Sequence, residues 1–150
     1  MTDAVMWGAV AVAALNLAPG LLGAWRWYRF QHSRAFWVLL RVGQLGALAF
    51  AAAVGALAAA GHSSSEQLFY LYALLPLAVG FLAEQLRVTS AQTILDQREL
   101  ADARAVGELP ASEQRQIVTL IVRREMGVMA LSALVVVFLA LRAAETAHGF

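Results

Sequence analysis

The chain has 150 residues, 61% hydrophobic and only 14% charged, whereas a soluble domain is about 45–50% apolar and about 25% charged. Formal net charge is +1, which provides no whole-molecule field to steer a nucleic acid, and no nucleic-acid partner is expected. The absence of cysteine excludes disulfides, zinc–thiolate sites and iron–sulfur clusters.

The apolar residues come in long blocks, which points to an all-α integral membrane protein forming one domain over residues 1–150. A helix rising about 1.5 Å per residue needs roughly 20 residues to cross about 30 Å of hydrocarbon. The first block covers residues 5–25. Its N-terminal flank, Met1-Thr2-Asp3-Ala4, carries an acid and no arginine, the reverse of a signal peptide's basic start, so a retained helix is expected. Asn16, Gly20 and Ala24 recur at four-residue spacing along it.

The second block, 36–60, carries Gly43, Ala47, Ala51, Gly55 and Ala59 at the same spacing. Residues four apart share a helix face, so this stripe offers a groove for close packing in lipid, within the chain or between subunits. The third block, 67–86, places Tyr72, Pro76, Gly80 and Glu84 on one face. A proline frees a backbone carbonyl and kinks a helix, which suits a moving element and a packing device equally. The fourth block, 117–141, is uninterrupted only from Met126, so its helix should begin earlier, with Arg123, Arg124 and Glu125 at the headgroups.

All 11 basic residues are arginine, and their placement sets the orientation. Arg26, Arg29, Arg34 and Arg41 flank the first connection. Arg87, Arg98, Arg104, Arg115, Arg123 and Arg124 flank the third, and Arg142 is the exception. Both arginine-rich connections are expected in the cytoplasm, touching anionic headgroups, with both termini outside. Trp25, Trp27, Tyr28, Phe30, Phe36 and Trp37 would form an aromatic belt at that boundary. The alanine-rich, lysine-free composition fits a GC-rich bacterial genome and hence a bacterial inner membrane. The expected architecture is a four-helix antiparallel bundle.

Residues 87–116 are polar yet read as a helical hairpin, with a floppy loop as the alternative. One arm prolongs the third span to about Val106, with Gly107 ending it. The other starts at Ser112 as N-cap and leads into the fourth span. Arg98 with Asp102, and Arg104 with Glu108, sit at i,i+4 spacing for ion pairing.

Asn16, Arg41, Gln44, Glu84, Gln85, Arg123, Arg124 and Glu125 fall at one depth near the inner leaflet. A charge there costs a few kcal/mol unless it snorkels or is paired, and Glu84 is expected to pair with Arg41 or Arg123. The layer reads either as interface anchors around a bundle-fixing salt bridge or as a vestibule for an ion, proton or small anion.

No metal or cofactor is expected. Met126 and Met129 share a face and read as packing. His62 and His148 could meet at a metal only if the C-terminus folds back, and the serine run at 63–65 has no positioned base beyond His62. The expected function is a non-catalytic membrane subunit or scaffold docking a cytoplasmic protein. An oligomeric channel or transporter is the alternative, and an intramembrane enzyme the second alternative.

Overall fold

The computed structural model describes residues 1–149, and its only secondary structure is helix. In chain order the helices are α1 (Thr2–Tyr28), α2 (Arg34–Ala59), α3 (Gln67–Gln97), α4 (Ala103–Gly107) and α5 (Ala111–Glu145). All but α4 are long and apolar enough to cross a membrane, and they coincide with the four apolar blocks of the sequence, the second block ending one residue beyond α2 at its C-cap Ala60. The outward faces remain apolar, with Trp7, Leu45, Phe81, Leu131 and Phe138 exposed. Such surfaces on four helices suggest a membrane protein.

α5 is the organising element, packing most extensively on α1 and then on α3, while α2 leans on α1 and barely reaches α5. The core steps along the bundle in three clusters. At one end, Val5 and Ala9 of α1 meet Val54, Phe69, Ala73 and Ala143. In the middle, Val12, Ala13, Ala47, Val136 and Ala140 pack together. At the arginine-rich end, Phe36, Leu40, Ala83, Met126, Met129 and Ala130 form the third. Both methionines are therefore core side chains.

Small residues set the helix separations. A Cβ added to Gly43 would lie 2.8 Å from Asn16 Oδ1 and 3.1 Å from the Leu15 carbonyl. α2 can therefore approach α1 this closely only without a side chain at that point. Gly23 stands against the Phe36 ring and Ala130 in the same way. The stripe on α2 is engaged only in its first half. Gly43, Ala47 and Ala51 are buried, whereas Gly55 and Ala59 are exposed, and nothing lies within 4 Å of a Cβ built at Gly55. On α1, Gly20 is buried against Leu134 and Ala24 is half-buried.

Three helices end in the same hydrogen-bonded motif. After α3, the Leu100 N–H bonds the Leu95 carbonyl and the Glu99 N–H bonds that of Asp96, with Glu99 at φ 56°. After α1, Gln31 bonds Arg26 and Phe30 bonds Trp27, with Phe30 at φ 54°. After α2, His62 bonds Leu57 and Gly61 bonds Ala58, with Gly61 at φ 84°. This is the Schellman arrangement, whose left-handed residue is usually glycine.

The hairpin expected over 87–116 differs in detail. Its first arm stops at Gln97 instead of running to Val106, because the left-handed Glu99 turns the chain. Asp102 does not bridge to Arg98; its carboxylate accepts from the Ala105 N–H at 3.0 Å and caps α4. Ser112 lies inside α5, whose N-cap is Pro110. The segment is nonetheless ordered. Ser90, Ile94 and Leu95 of α3 and Ile117 of α5 are buried, and Gln114 donates to the carbonyls of Gly107 and Leu109, tying α4 to α5.

The aromatic cluster divides. Trp25, Trp27, Tyr28 and Phe30 are exposed, while Phe36 is fully buried and Trp37 half-buried. At the opposite end the described residues after α5 fold back on the α2–α3 connection. The His148 carbonyl accepts from the Ser65 N–H at 3.1 Å and the Ser64 hydroxyl at 2.8 Å. Among the described residues no group of three or more histidines or acids is arranged to hold a metal ion.

Candidate functional site

The polar residues of the arginine-rich end assemble from three helices. Arg41 and Gln44 lie three apart and share a face of α2, Glu84 and Arg87 do the same on α3, and α5 contributes Glu125. Glu84 is the hub. Its Oε1 accepts from Arg41 Nη1 at 2.5 Å and from Gln44 Nε2 at 3.2 Å, and its Oε2 accepts from Arg87 Nη1 at 3.1 Å. Gln44 Oε1 in turn accepts from Arg41 at 2.6 Å.

Arg87 extends the chain of contacts, with Nε 3.8 Å from Glu125 Oε2 and its guanidinium 5.1 Å from the Trp37 ring. Two arginines and two glutamates are thus balanced at zero net charge. None is deeply buried, with side-chain exposures of 50% for Arg41, 29% for Glu84, 32% for Arg87 and 23% for Glu125. Arg87 lies outside the polar layer expected from sequence, where it counts only toward the orientation. Its i,i+3 spacing from Glu84 was the available signal.

The remaining candidates lie elsewhere. Gln85 and Arg124 are exposed. Arg123 does not reach Glu84; its guanidinium lies 3.7 Å from the Phe30 ring centroid and 4.8 Å from that of Trp27. Asn16 is 2% exposed, and its amide donates to the Val12 carbonyl at 2.9 Å and across to the Gly43 carbonyl at 3.2 Å. It therefore acts at the α1–α2 contact.

Beneath the ion-pair network lies a cavity of about 260 Å³, lined by Asn16, Gln44, Pro76, Gly80, Glu84 and Ser132 among apolar neighbours. It exists because α2 and α3 touch sparingly and because Gly80 projects no side chain into the gap, with nothing within 4 Å of a Cβ built there. Pro76 stays within an unbroken α3 and is buried. Chemically the arrangement holds helices together by charge-assisted hydrogen bonds. Both oxygens of Glu84 already have donors, and Ser132 donates to the Met129 carbonyl at 2.8 Å.

No family model, characterised protein or solved structure matches the chain.

Proposed function

We propose that the chain is a non-catalytic scaffold of the bacterial inner membrane, with four antiparallel spans, both termini outside and a cytoplasmic platform that docks a partner protein. The carrying observation is the ordered excess length of α3 and α5. They have 31 and 35 residues, or about 46 and 52 Å of helix, where about 30 Å of hydrocarbon needs roughly 20 residues.

The excess is packed. Ser90, Ile94, Leu95 and Ile117 are buried in it, and α4 is held against α5 by Gln114. An extension that served only to link two spans would need no such interior. The core cluster at the Val5 end supports an antiparallel order, since it joins the starts of α1 and α3 to the ends of α2 and α5. The arginine-rich connections at the Phe36 end support placing that end in the cytoplasm.

A second reading, an oligomeric channel or transporter, is favoured by the cavity that Asn16, Gln44, Glu84 and Ser132 line. Two measurements separate them. A photo-crosslinking residue at exposed platform positions Gln92, Glu99 or Arg104 should trap one protein of defined mass in native membranes. The same probe at Leu45 or Phe81 should not. Proteoliposomes of the purified chain should show no ion or proton flux. A flux that disappears in Glu84→Gln with the protein still folded would replace the scaffold by the transporter.

A further inference from the structure

Two arginines outside the Glu84 network share an unusual feature. Nε of Arg26 and Nε of Arg123 are shut off from water and have no hydrogen-bond partner. Native structures leave few such groups, because an orphaned N–H loses its solvation without compensation. Both line the same cavity of about 370 Å³, which also takes in Phe30, His32, Thr119 and Val122. It lies between the end of α1, the α1–α2 connection and the first half of α5. Neither arginine has an ion pair among the described residues, and no carboxylate lines the cavity. The positive charge is therefore left unmatched by the protein.

The guanidinium of Arg123 stacks on Phe30, which the left-handed backbone at that residue brings into place. Stacking fixes the plane and leaves the terminal in-plane N–H groups for a ligand. Arg26 is braced by the bond from Nη1 to Gln31 Oε1 at 2.7 Å, which leaves its Nη2 uncommitted. The Thr119 hydroxyl is committed to the Arg115 carbonyl at 2.8 Å, so the terminal guanidinium nitrogens are the donors on offer.

We propose that this cavity binds the phosphate group of an anionic ligand between the terminal guanidinium nitrogens of Arg26 and Arg123. Paired N–H donors in a plane match two oxygens of a phosphate, and Val122 gives an adjacent apolar wall. The phosphate has two possible sources, an anionic lipid headgroup or a free phosphate. Only the lipid source rests on the membrane reading above; the binding chemistry does not.

The test titrates the purified full chain in non-ionic detergent with phosphatidylglycerol, with inorganic phosphate and with diacylglycerol of the same acyl chains. Binding is followed by native mass spectrometry and thermal midpoint. Saturable one-to-one binding by phosphatidylglycerol alone identifies the headgroup, and comparable binding by inorganic phosphate identifies free phosphate. Equal binding by diacylglycerol, or none by either phosphate probe, overturns the proposal. Arg26→Gln with Arg123→Gln should weaken binding by about 10- to 100-fold, since hydrogen bonds to charged groups are being lost. Unchanged affinity overturns it.

A measurement on the unmodified protein keeps the test independent of whether that variant folds. The phosphate probe should protect Arg26 and Arg123 from phenylglyoxal while exposed Arg29 and Arg34 still react. Equal modification with and without probe overturns the site. Failure here leaves the scaffold reading standing, because crosslinking at the platform does not involve these arginines.

Discussion

Asn16 donates its side-chain amide across the α1–α2 contact to the carbonyl of Gly43, the residue whose missing side chain lets the two helices approach. One pair thus supplies both the close approach and the hydrogen bond that uses it. Interhelical hydrogen bonds in membranes average about 0.6 kcal/mol and reach about 1.7 kcal/mol. Overpacking a tight contact costs about 1–3 kcal/mol.

Gly43→Val is therefore expected to destabilise by about 1–3 kcal/mol, and Asn16→Ala by about 0.5–1.5 kcal/mol. Gly55→Val, on the same stripe but facing open space, should change stability by less than about 0.5 kcal/mol. Denaturant unfolding of the purified protein measures all three. A large loss at Gly55 would show that the outer half of the stripe packs against another subunit.

The Glu84 hub makes a different prediction. A surface ion pair contributes about 0–1 kcal/mol, and breaking a fully buried one costs about 3–5 kcal/mol. Glu84 is intermediate in burial but has three donors on its two oxygens. Glu84→Gln should fall between those limits, at about 1–3 kcal/mol. Arg124→Gln, at an exposed side chain, should stay within about 0.5 kcal/mol. Equal effects from the two would place Glu84 at the headgroups without a structural task.

Topology is tested cleanly because the chain has no cysteine. Cysteines placed at Ser64 and Ala103 should react with an impermeant maleimide from opposite sides of the membrane, Ser64 from outside. Labelling of both from one side would overturn the four-span order.

The four long helices were legible because length and apolarity decide them locally, and the expected blocks match α1, α2, α3 and α5 except that the second runs one residue past α2, to its C-cap Ala60. The Glu84–Arg41 pair was legible because both had to lie near one depth. Which of Arg41 and Arg123 pairs with Glu84 was not legible, since depth says nothing about the direction a side chain takes around its helix. Gly23, which meets Phe36 and Ala130, was missed because the four-residue stripe on α1 pointed to Gly20 and Ala24. The end of α3 was missed for a chemical reason. Its left-handed residue is Glu99, while the nearest glycine, Gly107, suggested a later stop.

That same turn gives the last prediction. Outside glycine, the left-handed conformation costs about 1–2 kcal/mol because Cβ crowds the following carbonyl. Glu99 bears this at the start of the connection that leads to α4. Glu99→Gly should relieve the crowding and raise stability by up to about 1 kcal/mol, partly offset by the greater freedom of glycine in the unfolded chain. Asp102→Ala acts in the opposite sense. It removes the carboxylate that caps α4 through the Ala105 N–H, and losing an N-cap costs about 0.5–2 kcal/mol. α4 has five residues and no buried side chain, so a loss of that size should open it locally while the long helices stay closed. Hydrogen exchange should accordingly quicken at Ala105 and Val106 in Asp102→Ala and leave Ala47 and Ala133 unchanged. If α4 forms part of the docking platform, crosslinking of the partner from Arg104 should fall in Asp102→Ala and persist in Glu99→Gly. Faster exchange with undiminished crosslinking would move the docking surface off α4 and onto the paired extensions of α3 and α5.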